Sequence, residues 1–372
     1  MKFAVATLPL VLALVVDAIP IKERGFSDIG SLDEVVLFDS PAFQDEAGNT
    51  LVNVESYVFL KQFDISPLSS LLGDALEKIG LGDVGDKIDV ALDRLSLLAT
   101  IGMPGKVVKM KVSGCDKEAT LPKTSLGDLG LVTGVVSVGK CGTNNSFSAS
   151  VQGDDFSSDV TIFPSGSDGF GVISDIDDTI KISNVLDKVK LAKATLFDDP
   201  TPVPGMPELY KSLATSLSKP QFIYISGSPY QLYPFLREFV ATSFPDSRGP
   251  LFLRNLTITD LDLILDSFSE DANKKLEYKL SQIARVQAMY PSKSFLSIGD
   301  STEKDPEIYG QAFKTHGGDF IRCIWIHVVD GADNSDARFA AAFEGVPQER
   351  VRLFNDSQIS ALADVDVAGG QC

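Results

Sequence analysis

Three carboxylates, Asp175, Asp177 and Asp178, fall within four positions directly after the apolar run Gly171-Val172-Ile173-Ser174. Carboxylates crowded at a strand end repel one another and resist losing water, so such a cluster is usually kept for a cation or an attacked electrophile. Alternate side chains of an extended segment share a face, which turns Asp175 and Asp177 toward one ligand. Asp175 then has the position of a nucleophile, and Asp177 that of an acid/base beside it. The plainer alternative is an acidic turn in which Asp178 or Thr179 caps the next helix.

Three further groups carry compatible chemistry. Gly299-Asp300-Ser301-Thr302-Glu303-Lys304-Asp305 repeats the design of an apolar strand ending in carboxylates, and one tight turn would bring Asp300 and Asp305 to a common site. With Asp175 and Asp177 they form a set of hard oxygen ligands suited to Mg2+, which takes a few carboxylates together with phosphate oxygen and water. A solvated acidic turn is the alternative. Lys279 falls within the helical stripe Leu276, Leu280, Ile283 and Val286, and an inward lysine needs an anion such as phosphate. Snorkelling past the core is the alternative for Lys279, with Lys275 the second candidate. Ser226 ends the strand-like run Gln221–Ile225 and could donate to a phosphate oxygen, or be an ordinary strand-end serine.

The elements that must position these residues read as two regions after a leader. Residues 1–18 hold one lysine, a short apolar run and small residues near Ala18, the pattern of a secretory signal peptide. Residues 19–165 read as a smaller β-rich domain, an antiparallel sandwich or barrel with a helical insertion at residues 68–79 and 88–98. Gly80-Leu81-Gly82-Asp83-Val84-Gly85 has the glycine spacing of a dinucleotide loop, yet it follows a helical pattern where that loop needs a strand, so it reads as a helix–helix turn. Residues 166–372 alternate apolar strands with amphipathic helices, the order of an α/β doubly wound parallel sheet. In such sheets ligands bind beyond the carboxyl ends of the strands, where Asp175, Ser226 and Asp300 all fall.

The formal charge of −18 leaves no basic stripe for nucleic acid. Cys115 and Cys141 lie in one β-rich stretch and suit a disulfide in an oxidising compartment, whereas Cys323 reads as a buried thiol and Cys372 as a free one. No Cys-x-x-Cys pair supports zinc. Sequons at Asn144, Asn255 and Asn355 are compatible with a glycosylated, secreted protein. With His316 and His327 as the only histidines and no Gly-x-Ser-x-Gly elbow, histidine phosphatase, metalloprotease and serine esterase mechanisms are disfavoured.

Taken in chain order, Asp-x-Asp-x-Thr, strand-end serine, helical lysine and Gly-Asp-x-x-x-x-Asp resemble the haloacid dehalogenase-like phosphatase superfamily. The longer runs Phe170 to Ile182, Pro204 to Tyr210, Ser226 to Pro234 and Ile298 to Tyr309 resemble the catalytic domain of the fungal actin-patch phosphatidate phosphatase family. That resemblance implies Asp175 as the nucleophile of an aspartyl-phosphate and Asp177 as acid, then base. It implies Ser226 and Lys279 as phosphate ligands. Magnesium would be held by Asp175, the Asp177 carbonyl and Asp300, with Asp305 close behind. Phosphatidate or a related lipid phosphate is the implied substrate, with peripheral membrane contact. The chain departs from that family in its apolar N-terminus and in having no long proline-rich tail. A secreted phosphatase for a soluble phosphomonoester, or a secreted binding protein with a vestigial core, are the competing functions.

Overall fold

The computed structural model describes residues 28–60, 76–77, 88–94, 97, 100–142, 146–151, 160–255 and 272–372. The expected signal peptide, the glycine-spaced run at residues 80–85, most of the expected helical insertion, and Asn144 lie outside the described residues.

Nine strands form the first sheet: β1 (Asp33–Leu37), β2 (Ser40–Gln44), β3 (Thr50–Leu60), β4 (Ile101–Gly102), β5 (Lys109–Val112), β6 (Glu118–Thr120), β7 (Leu131–Gly139), β8 (Phe147–Val151) and β9 (Val160–Pro164). Between β3 and β4 lies the short helix α1 (Ile88–Arg94). The eleven-residue β3 is the spine, pairing antiparallel with β1, β2, β4 and β7. The expected all-antiparallel arrangement is broken at β2 and β9, which run parallel and join the beginning of the region to its end. Val35, Leu37, Val52, Val54, Val58 and Ile162 are among the residues that fill its own apolar core.

The second sheet holds β10 (Phe170–Ser174), β11 (Gln221–Pro229), β12 (Leu251–Arg254), β13 (Ser294–Asp300), β14 (Ile321–His327) and β15 (Val351–Phe354). Their spatial order is β12-β11-β10-β13-β14-β15, and every neighbouring pair is parallel. The order reverses between β10 and β13, which is where a doubly wound sheet opens a crevice beyond its carboxyl edge. Strands of this kind are apolar on both faces because helices cover both. Val172, Phe222, Leu296 and Trp325 share one apolar cluster with α3 (Met206–Ser216) and α4 (Tyr233–Ser243). Their chain neighbours Ile173, Ile223, Phe295 and Ile324 share another with α5 (Ala272–Met289) and α6 (Asp305–His316). Two shorter helices complete the layers, α2 (Lys188–Leu196) before α3 and α7 (Asp336–Ala342) before β15.

The two sheets are joined by packing and by polar contacts. Phe38 lies against Tyr233 at 4.5 Å between ring centres. The Asp39 amide donates to the Tyr233 hydroxyl at 2.6 Å, and Arg237 donates to the Asp39 carboxylate at 3.0 Å. Farther along, Arg285 on α5 donates to Asn53 at 2.9 Å and lies 3.6 Å from the Glu55 carboxylate.

Cys115 is bonded to Cys141, and Cys323 to Cys372. The second bond corrects the expectation of a buried thiol and a free one. Cys323 is in the middle of β14, 49 residues earlier, and only the return of the chain past β15 brings Cys372 back to it.

Candidate active site

The first three aspartates do three different things. The Asp175 amide donates to the carbonyl of Ile298 at 2.9 Å, which ties the end of β10 to β13, and the residue is 1% exposed. Asp178 has φ +55° and its carboxylate accepts from the amides of Ser183, Asn184 and Val185 at 2.7–2.8 Å. It therefore fastens a loop rather than capping a helix, and the next helix, α2, is capped by Asp187.

Asp177 faces a separate polar pocket. Its carboxylate accepts from Ser183 at 2.7 Å, Ser228 at 2.9 Å, Ser226 at 3.0 Å and the Lys181 ammonium at 3.2 Å. Burial alone would raise its pKa, but Lys181 and the three hydroxyls outweigh burial and hold the group below the usual carboxylate range. The Ser226 hydroxyl also accepts from the Ser228 amide at 3.0 Å, so here its proton is directed at Asp177.

Lys279 is inside, as the stripe predicts, and 1% exposed. Its ammonium donates to Asp175 at 2.7 Å and Asp305 at 2.6 Å, with Glu303 at 3.8 Å. Thr179 donates to Asp300 at 3.2 Å, and Asp300 accepts from the Thr302 amide at 2.6 Å. Asp305 can approach because Gly299 has no side chain: a Cβ there would lie 2.4 Å from its carboxylate oxygen. Lys275, the second candidate, instead pairs with Glu303.

Charge in this pocket is unbalanced. Asp175, Asp300 and Asp305 are buried, and each offers a carboxylate oxygen within 4.8 Å of the others. Burial raises Asp175 well above the ordinary range; Lys279 opposes the shift, and Asp305 and Asp300 add to it. Burial with Asp305 beside it pushes Asp300 up to about 7. Burial alone would lower the pKa of Lys279, but the carboxylates around it hold the ammonium well above the ordinary lysine range. A compact set of hard, buried oxygen donors with one cation for three acids fits a divalent metal such as magnesium.

Several supporting residues carried no signal in sequence. Arg338 on α7 donates to Glu307 at 3.1 Å and to the carbonyls of Ser301 at 2.7 Å and Glu303, clamping the turn that holds Asp300 and Asp305. The His327 Nδ1 lies 3.0 Å from the Asp178 carbonyl, at the end of β14. Such contacts join distant chain segments and leave no local pattern. Lys181 and Ser183 were closer to view, since a lysine four residues after an aspartate is a recognisable pair.

A six-stranded parallel sheet with an acidic, lysine-bridged cluster at its switch point defines an α/β protein with its chemistry at the strand ends. Residues 170–328, which contain Asp175, Asp177, Ser226, Lys279, Asp300 and Asp305, match the family described as phosphatidate phosphatase APP1, catalytic domain. Phosphatidate phosphatase APP1 of Saccharomyces cerevisiae is 34% identical over 144 residues, covering 38% of this chain and 23% of the relative. An uncharacterized protein of Schizosaccharomyces pombe is 25% identical over 146 residues, covering 38% of this chain and 22% of its own. The chain thus spans under a quarter of the length of these curated relatives.

Proposed function

We propose that the chain is an exported, magnesium-dependent phosphatidate phosphatase with a haloacid dehalogenase-like catalytic domain at residues 166–372, preceded by a β-rich domain at 19–165. The observation that carries this reading is the buried Lys279, joined to Asp175 and Asp305 beside Asp300, within the segment that matches a phosphatidate phosphatase catalytic domain. The two disulfides suit an oxidising compartment.

Asp175 attacks the phosphorus of the monoester, the bond to the diacylglycerol oxygen breaks, and Asp177 gives that oxygen a proton. Asp177 is held ionised, so its proton must arrive with the substrate, whose phosphate charge opposes that of the carboxylate and raises its pKa. In the second half Asp177 takes a proton from water as the water attacks the aspartyl-phosphate, and phosphate leaves. Lys279, and Ser226 once turned from Asp177, offer donors to the phosphate oxygens. Magnesium, which Asp175, the Asp177 carbonyl and Asp300 would hold with Asp305 close behind, would offset negative charge on the transferring group.

The test is phosphate release from phosphatidate in mixed micelles, with magnesium and with chelator, beside Asp175→Asn. Release should require the metal and fall by about a thousandfold or more in the variant, with its melting temperature kept. Full activity in Asp175→Asn would remove the nucleophile assignment. Cleavage of a small phosphomonoester with phosphatidate untouched would keep the mechanism and remove the lipid.

A further inference from the structure

The segment that follows the catalytic aspartates turns apolar side chains outward. Ile182, Leu186 and Val189 are 38%, 52% and 39% exposed, all within eight residues and all between Asp178 and the middle of α2. Large apolar side chains clustered on a surface mark a contact. Their place is specific: Val185, Leu191 and Thr195 of the same segment line a cleft together with Asp177, Ser228, Pro229 and Lys275. The exposed apolar side chains therefore belong to the same short segment as residues that line the cleft reaching Asp177.

The charge of this segment runs against that of the molecule. The whole chain carries −18, yet Lys188, Lys190 and Lys193 all stand exposed on α2. Leu191, Ala192, Thr195 and Leu196 are buried, and at about 100° per residue Val189, Lys190 and Lys193 share the opposite face. Asp187 accepts from the amides of Val189 and Lys190 as the helix cap and lies 3.8 Å from the Lys190 ammonium. Val189 beside Lys190 and Lys193 on the helix, with Ile182 and Leu186 exposed in the loop just before it, is the composition of a surface that lies on an anionic lipid leaflet.

We propose that the loop from Ile182 to Asp187 and helix α2 form a membrane-docking lip, which seats the cleft on an anionic bilayer so that a lipid phosphate can enter without leaving the leaflet. This rests on the lipid phosphatase reading and adds to it the surface that meets the lipid.

The test is co-sedimentation of the full chain with phosphatidylcholine vesicles containing phosphatidylserine, a lipid with no phosphomonoester to cleave. Ile182→Ser/Leu186→Ser/Val189→Ser and Lys188→Gln/Lys190→Gln/Lys193→Gln should each lower the vesicle-bound fraction about tenfold. Wild-type binding should weaken with salt. Val135→Ser removes an equally exposed side chain on β7, 52% against 52% for Leu186, and should bind as wild type. Cleavage of p-nitrophenyl phosphate should stay within about twofold in all three, which excludes misfolding.

Vesicle binding that both triple variants retain would overturn the lip, as would a wild-type protein that ignores vesicles. Loss confined to the triple variants supports it. If that loss occurs in a protein that cleaves p-nitrophenyl phosphate but not phosphatidate, the docking surface stands and the substrate assignment alone falls.

Discussion

Two carboxylates two residues apart, Asp175 and Asp177, sit in pockets that treat charge in opposite ways. Asp175 shares one lysine with Asp305 while Asp300 stands close by, and burial drives its pKa up. Asp177 accepts from Lys181 and three serine hydroxyls with no second carboxylate among them, and these hold it ionised despite burial. A site that separates neighbouring acids in this way has assigned them different work. The first pocket keeps a deficit of positive charge beyond Lys279 that a divalent metal could meet, whereas the second is already satisfied.

Removing the cation from the deficient pocket should have the largest effect on stability. Lys279→Met leaves buried carboxylates without their partner, and a loss of about 3–5 kcal/mol is expected in urea unfolding, part of it recovered by magnesium. Equal stability with and without the metal would break the contrast between the pockets.

Glu55, at the junction of the two sheets, is a third case. Burial raises it to about 7, with Arg285 opposing the shift. A carboxyl whose folded pKa exceeds its unfolded one holds its proton more tightly when folded, so stability falls as pH rises from the unfolded value of about 4.5 through about 7. A shift from 4.5 to about 7 corresponds to about 3 kcal/mol lost between pH 4 and pH 8. Glu55→Gln should flatten that slope; an unchanged slope would show that the carboxylate has found full compensation.

The smallest effect sharpens the comparison most. In Lys181→Met the strongest restraint on Asp177 is gone, its pKa rises, and the limb of the activity profile that needs ionised Asp177 should move to higher pH, with about a tenfold loss near neutrality. A profile that only scales downward would mean that Lys181 does no more than support the loop.

Much of this arrangement was readable before folding. The strand ends at Ser174 and Asp300, and the inward face of Lys279, follow from apolar runs and a helical stripe, which are local signals, whereas β11 runs past the expected end at Ser226 to Pro229. β15 leaves little signal because it is only four residues long and Arg352 interrupts its apolar residues. β2 was missed because Ser40 and Pro41 open it. α2 was missed because its apolar residues are diluted by lysines turned to solvent. Arg338, the Cys323–Cys372 bond and the parallel β2–β9 pairing belong to the same class of omission: each joins chain segments far apart, and register between distant segments is not written in either one.

Asp178 has a mechanical meaning. Its backbone continues directly from Asp177, its carbonyl is met by His327, and its carboxylate grips the amides of Ser183, Asn184 and Val185. Asp177 and the loop bearing Ile182 and Leu186 are thus anchored through one shared residue, Asp178. Any rearrangement of that loop would have to preserve or break these three amide contacts beside Asp177.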